Sequence, residues 1–128
     1  MQAFKIQGGI KLSGDVTPQG AKNEALQIIC ATLLTPEEII IKNIPDIIDI
    51  NKLISLLISL GVKVKKLKPN TFSFKADDIN LDYLNSEKFK IDGKSLRGSI
   101  MIVGPLLARF GKAYIPRPGG DKIGRRRL

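Results

Sequence analysis

An internal repeat limits the folds open to this chain more than any other feature of its sequence. Leu33-Leu34 is followed by Pro45, and the pattern recurs 73 residues later as Leu106-Leu107 followed by Pro118. Each stretch contains a predicted helix, a short break, a strand and a proline turn. The period exceeds those of common solenoid repeats and indicates a duplicated subdomain. The second copy stops after its first helix and strand, so we expect an incomplete folding unit that self-associates through exposed apolar surface.

The first copy is predicted to run strand, helix, strand, helix, strand, strand. An apolar stripe predicts a helix over about residues 23–34, and its members are Leu26, Ile29, Cys30 and Leu33. We interpret Cys30 as a small core residue rather than a nucleophile. Ile39-Ile40-Ile41 predicts a strand that is buried on both faces. A second helix is predicted to begin with Asp46 as its N-cap and to stop at Gly61.

Two pairs of alternating segments predict β-hairpins. Residues 4–7 and 10–12 alternate apolar and polar around Gly8-Gly9. Residues 62–65 and 71–75 do the same on either side of a turn at Pro69-Asn70, with Phe72 and Phe74 pointing inward. We interpret the lysines of residues 63–68 as the solvated face of an edge hairpin, in preference to an anion site.

The remaining predicted elements are a short strand at residues 88–91, a third helix over about residues 95–110 and a strand at 113–115. Pro105 should kink the third helix because it has no N–H to donate. Arg97 would place a cation at the positive end of that helix, which is locally unfavourable. Either a bound anion accounts for the placement, or the side chain extends into water.

Composition excludes several kinds of site and favours an anionic partner. With no histidine and one cysteine, the chain has no histidine base, internal disulfide or zinc finger, and a reducing, cytoplasmic location is expected. No apolar segment is long enough to span a bilayer, so no membrane partner is expected. The net charge of +9 favours nucleic acid or a phosphorylated small molecule as partner. Dispersed lysines, with 5 Phe, 2 Tyr and no Trp, make nucleic acid the less favoured of the two.

The last residues of the sequence combine three residue types that an anion-handling site needs. Gly119-Gly120 allows the backbone to approach a ligand closely. Asp121 can exchange a proton with a bound anion, and Arg125-Arg126-Arg127 offers planar donor groups for phosphate or carboxylate oxygens. A solvated basic tail is the alternative interpretation.

Four motifs in order resemble the N-terminal part of the UDP-N-acetylglucosamine 1-carboxyvinyltransferase (enolpyruvyl transferase) family. They are Gly20-Ala21-Lys22-Asn23, Leu96-Arg97-Gly98-Ser99, residues 104–111 and Pro118-Gly119-Gly120-Asp121. Each alone is weak evidence, whereas all four at this spacing are specific. The resemblance implies an α/β (α+β) fold built from repeated βαβαββ subdomains of an inside-out α/β barrel, of which this chain holds only a part.

The resemblance also implies a domain organisation. Residues 1–19 would form a hairpin segment that completes a missing second domain, so their strands would lack native partners here. Residues 20–92 would be the first βαβαββ subdomain, and residues 93–128 an incomplete second subdomain that ends in the catalytic loop. Family members are several times longer, and their second domain carries an aspartate proposed as the base. We therefore expect the 128-residue chain to lack turnover alone.

The reaction implied by the resemblance moves the enolpyruvyl group of phosphoenolpyruvate to the 3-hydroxyl of UDP-N-acetylglucosamine. Phosphate leaves, peptidoglycan synthesis is committed, and no metal or organic cofactor is required. Two anionic substrates fit a basic chain, and protonation of the methylene carbon needs a general acid. One alternative is the sister family that makes 5-enolpyruvylshikimate 3-phosphate, whose lysine lies in a different local motif. The other is a non-catalytic basic module that binds anions or nucleic acid.

Site residues follow from the resemblance position by position. Lys22 and Asn23 match the pair that contacts phosphoenolpyruvate and the sugar nucleotide. Arg97 matches an arginine of the UDP-N-acetylglucosamine site. Arg126 matches an arginine that reaches both substrates. The pair Arg127 and Leu128 matches the start of the sugar-nucleotide segment.

Asp121 matches the general-acid position of the family. Many members carry cysteine there, and the epoxide antibiotic fosfomycin alkylates that thiolate. Members with aspartate are active, so the resemblance implies retained function. A carboxylate is a much poorer nucleophile toward the epoxide, and we expect a fosfomycin-insensitive protein.

Overall fold

The computed structural model describes residues 3–114, which form a mixed α/β arrangement. In chain order the helices and strands are α1 (Lys22–Ala31), β1 (Glu38–Ile41), α2 (Ile48–Ser59), β2 (Lys63–Lys68), β3 (Thr71–Lys75), α3 (Glu87–Lys94) and α4 (Val103–Phe110). Short 3₁₀ segments lie at Thr32–Leu34, Leu81–Asn85 and Arg97–Ile102. The predicted α/β class is thereby confirmed, and the predicted hairpin at 62–75 is present as β2 and β3.

The three strands form one antiparallel sheet in the order β1-β3-β2. Phe74 pairs with Ile39 on one side and Val64 on the other, and its ring is fully buried beneath the helices. On the opposite face Ile40 is 54% exposed. The prediction that residues 39–41 are buried on both faces is therefore wrong. An antiparallel sheet needs only one covered face, and β-branched residues are favoured in its strands because they pack well on a pleated, half-buried surface.

The core lies between α1, α2 and the covered face of the sheet. Fully buried side chains from all three meet there, among them Ile29, Leu33, Leu53, Leu57 and Phe74. Cys30 belongs to the same cluster, as predicted, and burial raises the pKa of its thiol to about 12. A thiol kept neutral in this way is a poor nucleophile, which agrees with its interpretation as a core residue.

The hairpin predicted at residues 4–12 is not present. Residues 3–20 contain neither helix nor strand, and their apolar side chains are open to solvent, with Phe4 at 96% and Leu12 at 91% exposure. An isolated two-stranded hairpin is marginal in water, because it gains stability only when its apolar face packs against something else. Within the described residues this segment has no such packing partner.

The strand predicted at residues 88–91 is also wrong, because these residues belong to α3. Ser86 caps the helix, accepting a hydrogen bond at its Oγ from the Phe89 backbone N–H at 3.0 Å. Phe89 is fully buried, with its ring edge-on to Tyr83 at 5.6 Å between centroids, while Ile91 is exposed. The alternation of apolar and polar residues therefore reflects two faces of a short capped helix.

Two details of the other predicted helices need correction. The N-cap of α2 is Ile47, and Asp46 instead accepts a side-chain hydrogen bond from Asn51 Nδ2 at 3.0 Å. The third helix is divided into the 3₁₀ segment Arg97–Ile102 and α4. Pro105 lies in the first turn of α4, where N–H groups have no partner within the helix, so its missing N–H costs α4 no hydrogen bond.

The C-terminal part of the described chain is tied to the core by Arg109. Its guanidinium Nη1 donates to the carbonyl oxygens of Leu33 at 3.1 Å and Ala76 at 2.7 Å. Gly111 then ends α4 with a positive φ of 65°. Of the strand predicted at 113–115, residues 113 and 114 are not in a strand, and residue 115 lies outside the described residues. No helix within residues 3–114 is both long and apolar enough to cross a membrane.

Candidate active site

A cleft of about 420 Å³ lies where the starts of α1 and α2 meet the 3₁₀ segment Arg97–Ile102. Its lining residues are Lys22, Asn23, Leu26, Gln27, Asp49, Ser95, Leu96, Arg97, Gly98, Ile100 and Met101. Three predicted site residues, Lys22, Asn23 and Arg97, therefore come from distant parts of the sequence to the walls of one cleft. Their roles in substrate binding stay predictions.

Gly20 fixes where α1 begins, and so where Lys22 and Asn23 lie. A Cβ at residue 20 would lie 1.9 Å from the carbonyl oxygen of Asn43, in the turn that follows β1. Only glycine allows the chain to pass this close to that turn. The helix starts two residues later with Lys22. The first motif of the resemblance thus has a structural reason for its glycine.

Gly98 brings Arg97 to the same cleft. A Cβ at residue 98 would lie 3.1 Å from Leu26 Cδ1 on α1, so a larger residue would require the Leu26 side chain to give way. Ser99 is completely buried next to it, and its hydroxyl lies within hydrogen-bond distance of the carbonyl oxygens of Gly93 (3.0 Å) and Leu96 (2.7 Å). The serine of the second motif therefore ties the 3₁₀ segment to the end of α3, while the glycine leaves room for Leu26 of α1.

The electrostatics of the cleft include one residue that sequence reasoning did not place in the site. Lys22 Nζ forms an ion pair with Asp49 Oδ2, which lies in the first turn of α2. The sequence placed Asp49 near the start of a helix, but nothing in its spacing from Lys22 indicates contact. Two cationic side chains and one carboxylate line the cleft, a balance that suits an anionic ligand.

The other predicted site residues cannot be placed against this cleft. Asp121, Arg126, Arg127 and Leu128 lie outside the described residues. Within residues 3–114 no three His, Cys, Asp or Glu side chains are grouped so that they could hold a metal ion. Within the described residues the cleft thus has two cationic side chains and no cluster of metal ligands.

A family model matches the sequence that forms this cleft. The model of EPSP synthase (3-phosphoshikimate 1-carboxyvinyltransferase) matches residues 6–127, nearly the whole sequence. The chain belongs to this family. The match includes all three elements that form the cleft and the segment that carries Asp121.

Individual relatives narrow the resemblance further. The chain is 61% identical over 128 residues to a UDP-N-acetylglucosamine 1-carboxyvinyltransferase of Bacteroides thetaiotaomicron, covering 100% of the chain and 30% of the relative. Identity to the protein of the same name from Porphyromonas gingivalis is 58%, with the same coverage. For Wolinella succinogenes it is 45%, covering 98% of the chain and 29% of the relative. The resemblance inferred from the four motifs is confirmed, and the chain spans about 30% of the length of these relatives.

Proposed function

We propose that this chain supplies part of the substrate site of a UDP-N-acetylglucosamine 1-carboxyvinyltransferase. The reaction transfers the enolpyruvyl group of phosphoenolpyruvate to the 3-hydroxyl of UDP-N-acetylglucosamine and releases phosphate. It is the first committed step of peptidoglycan synthesis, and the protein acts in the cytoplasm. The observation that carries the proposal is the convergence of Lys22, Asn23 and Arg97 on one cleft in a chain 61% identical to a relative of that name.

Each of the three cleft residues has a role that its chemistry suits. The Lys22 ammonium is a compact charge that binds the phosphate or carboxylate of phosphoenolpyruvate. The Asn23 amide both donates and accepts hydrogen bonds, so it contacts phosphoenolpyruvate and the sugar nucleotide together. Arg97 presents a planar fork of donors to an oxyanion of UDP-N-acetylglucosamine. The position of all three residues in the lining of one cleft supports these assignments.

The remaining roles fall on residues outside the described range. Asp121 donates the proton that the methylene carbon of phosphoenolpyruvate takes up as the sugar hydroxyl adds to the neighbouring carbon. Arg126 binds both substrates, while Arg127 and Leu128 bind the sugar nucleotide. Asp121 in place of a cysteine makes the protein insensitive to fosfomycin. Support for these roles comes from the family match, which extends to residue 127.

The same proposal includes the architecture of the whole protein. Residues 20–92 and 93–128 belong to repeated βαβαββ subdomains of an inside-out α/β barrel, and residues 1–19 complete a second domain. The 128-residue chain has no turnover alone, because the second domain contributes essential groups. The exposed apolar side chains of residues 3–20 and the 30% coverage of relatives support this view.

The test is a chimera in which residues 1–128 replace the matching N-terminal 30% of the Bacteroides thetaiotaomicron relative. We expect phosphate release that requires both substrates, and none from the 128-residue chain alone. Lys22→Ala should lower kcat/KM by about 100-fold or more, since it removes a charge that meets the transferred group. Lys68→Ala is the control, because it removes one exposed lysine outside the cleft.

Two results would contradict the proposal. One is a folded chimera that releases no phosphate with these substrates, and the other is equal loss of activity in Lys22→Ala and Lys68→Ala. The non-catalytic basic module would instead be favoured by two results together. The chain would bind nucleic acid with an affinity that falls steeply as salt rises, and UDP-N-acetylglucosamine would not stabilise it against unfolding.

A further inference from the structure

Asp49 is an unexpected side chain in a cleft that suits anions. It lines the cleft together with Lys22 and Arg97, and its carboxylate pairs with the Lys22 ammonium. A negative charge here repels an incoming phosphate or carboxylate. Its presence therefore needs a reason other than attraction of the substrate.

Stability gives little reason for the ion pair. The side chain of Lys22 is 50% exposed and that of Asp49 is 34% exposed. Ion pairs as open to solvent as this one contribute little to folding, because water screens the charges and two long side chains lose freedom. The described residues hold further ion pairs of the same exposed kind, such as Lys63 with Asp77, outside the cleft.

Geometry gives a better reason. Lys22 is the first residue of α1, where a long side chain has little to hold it, and Asp49 lies in the first turn of α2. Asp49 is held electrostatically at its own position, because a carboxylate is favoured at the positive start of a helix. The pair thus joins two helix starts and sets the direction of the Lys22 ammonium within the cleft.

We propose that Asp49 is a positioning residue, which holds the Lys22 ammonium where it meets the anionic group of phosphoenolpyruvate. This inference rests on the proposed function. Asp49 itself does not touch the substrate, and it acts through Lys22. Correct placement of a charged group is worth a large factor in rate, since a displacement of about 1 Å can cost about a hundred-fold.

The experiment uses the active chimera and measures kcat and KM for phosphoenolpyruvate. Asp49→Ala should lower kcat/KM for phosphoenolpyruvate between about ten-fold and a hundred-fold, because the ammonium that binds this substrate loses its orientation. Asp49→Asn keeps an oxygen that can accept from Lys22 and should recover much of the loss. Asp46→Ala is the matched control: it removes an aspartate that precedes α2, bonds Asn51 and does not line the cleft, and it should behave as the unmodified chimera.

A double substitution separates positioning from direct action. If Asp49 acts through Lys22, adding Asp49→Ala to Lys22→Ala should reduce the rate no further. Losses that multiply in the double variant, or an unchanged kcat/KM in Asp49→Ala, would each overturn the inference. The melting temperature of every variant is measured. If that of Asp49→Ala is lowered, the test rests on Asp49→Asn, provided that its own melting temperature is unchanged. A chimera inactive before any substitution overturns the proposed function, whereas an active one that is indifferent to Asp49 overturns this inference alone.

Discussion

Two regions of the chain carry nearly the same sequence pattern and have different structures. Residues 4–12 alternate apolar and polar residues around a pair of glycines, and residues 62–75 alternate them around a tight turn. The second region forms the hairpin of β2 and β3, with Asn70 at a φ of 57° in its turn. The first has no strand, although Gly9 has a positive φ of 84° that suits a turn. Alternation and turn chemistry are therefore not what separates them.

The difference lies in what covers the apolar face. In the second hairpin Phe74 is fully buried, its strand pairs on both sides, and Val64 packs against the core. In the first region Phe4 and Leu12 are almost completely exposed. A hairpin gains most of its free energy from burial of one face, and the backbone hydrogen bonds alone only replace those made to water. An alternating pattern therefore predicts a strand only where another surface is present to cover its apolar face.

The largest expected effect follows directly from this contrast. Phe74→Ala removes a fully buried ring and should lower the free energy of unfolding by about 3–5 kcal/mol, enough to unfold a marginal domain. Phe4→Ala makes the same chemical change on a ring that is 96% exposed and should change it by less than about 0.5 kcal/mol. Urea denaturation followed by circular dichroism measures both, and similar losses in the two variants would refute the comparison.

The first region should behave differently when it is part of a longer protein. In the chimera proposed above, residues 1–19 are expected to find the sheet that they complete. Leu12→Ala should then cost about 2–5 kcal/mol, the usual range for a leucine that becomes buried. In the 128-residue chain the same substitution should have almost no effect, since Leu12 is 91% exposed there. Thermal melting of both pairs is the measurement, and an equally small effect in the chimera would show that residues 1–19 remain uncovered.

The fold could be predicted from the sequence wherever a pattern found its partner within the described residues. The apolar stripe with Leu26 and Ile29 predicted α1, and the lysine-rich alternation predicted β2 and β3. The failures have one cause in common. Residues 88–91 alternate like a strand, but the cap at Ser86 and the buried contact of Phe89 with Tyr83 favour a helix. Short patterns are decided by capping and packing contacts, which periodicity does not contain.

The site was predictable in part for a different reason. Lys22, Asn23 and Arg97 were predicted as site residues because they lie in motifs of a known family, and they line one cleft. Asp49 was missed because its contact with Lys22 depends on how α1 packs against α2. The sequence contains no signal for that packing beyond two apolar stripes. Residues that support a site through another side chain are therefore harder to find than residues within its motifs.

A glycine substitution tests the same contrast through the backbone. Gly61 has a φ of 107°, and a Cβ there would lie 2.3 Å from the carbonyl oxygen of Asp78. Gly61→Ala should lower the free energy of unfolding by about 1–3 kcal/mol, since neither the φ nor the clash can relax between α2 and β2. Gly9→Ala also meets a positive φ, but it lies in a segment without helix, strand or packing contact, where the backbone can adopt a negative φ, and should cost less than about 0.5 kcal/mol. Equal unfolding midpoints in urea for the two variants would contradict this.

The smallest expected effect concerns the exposed charges beside the hairpin. Asp77 pairs with Lys63 at 2.9 Å and with Lys75 at 3.3 Å, and the hydrogen bond from Lys63 in particular lowers the pKa of its carboxyl. A carboxyl with a lowered pKa in the folded state stabilises that state above its usual pKa of 3.8, and the contribution is lost as the pH falls below that value. Asp77→Asn should therefore melt slightly earlier than the unmodified chain at neutral pH. The difference in melting temperature should vanish in strong acid and in 1 M salt, where the screening length is roughly 3 Å.

Asp15→Asn, in the exposed first region, is the control and should melt like the unmodified chain throughout. If both variants melt early, the effect belongs to net charge and not to the ion pairs that hold the end of β3.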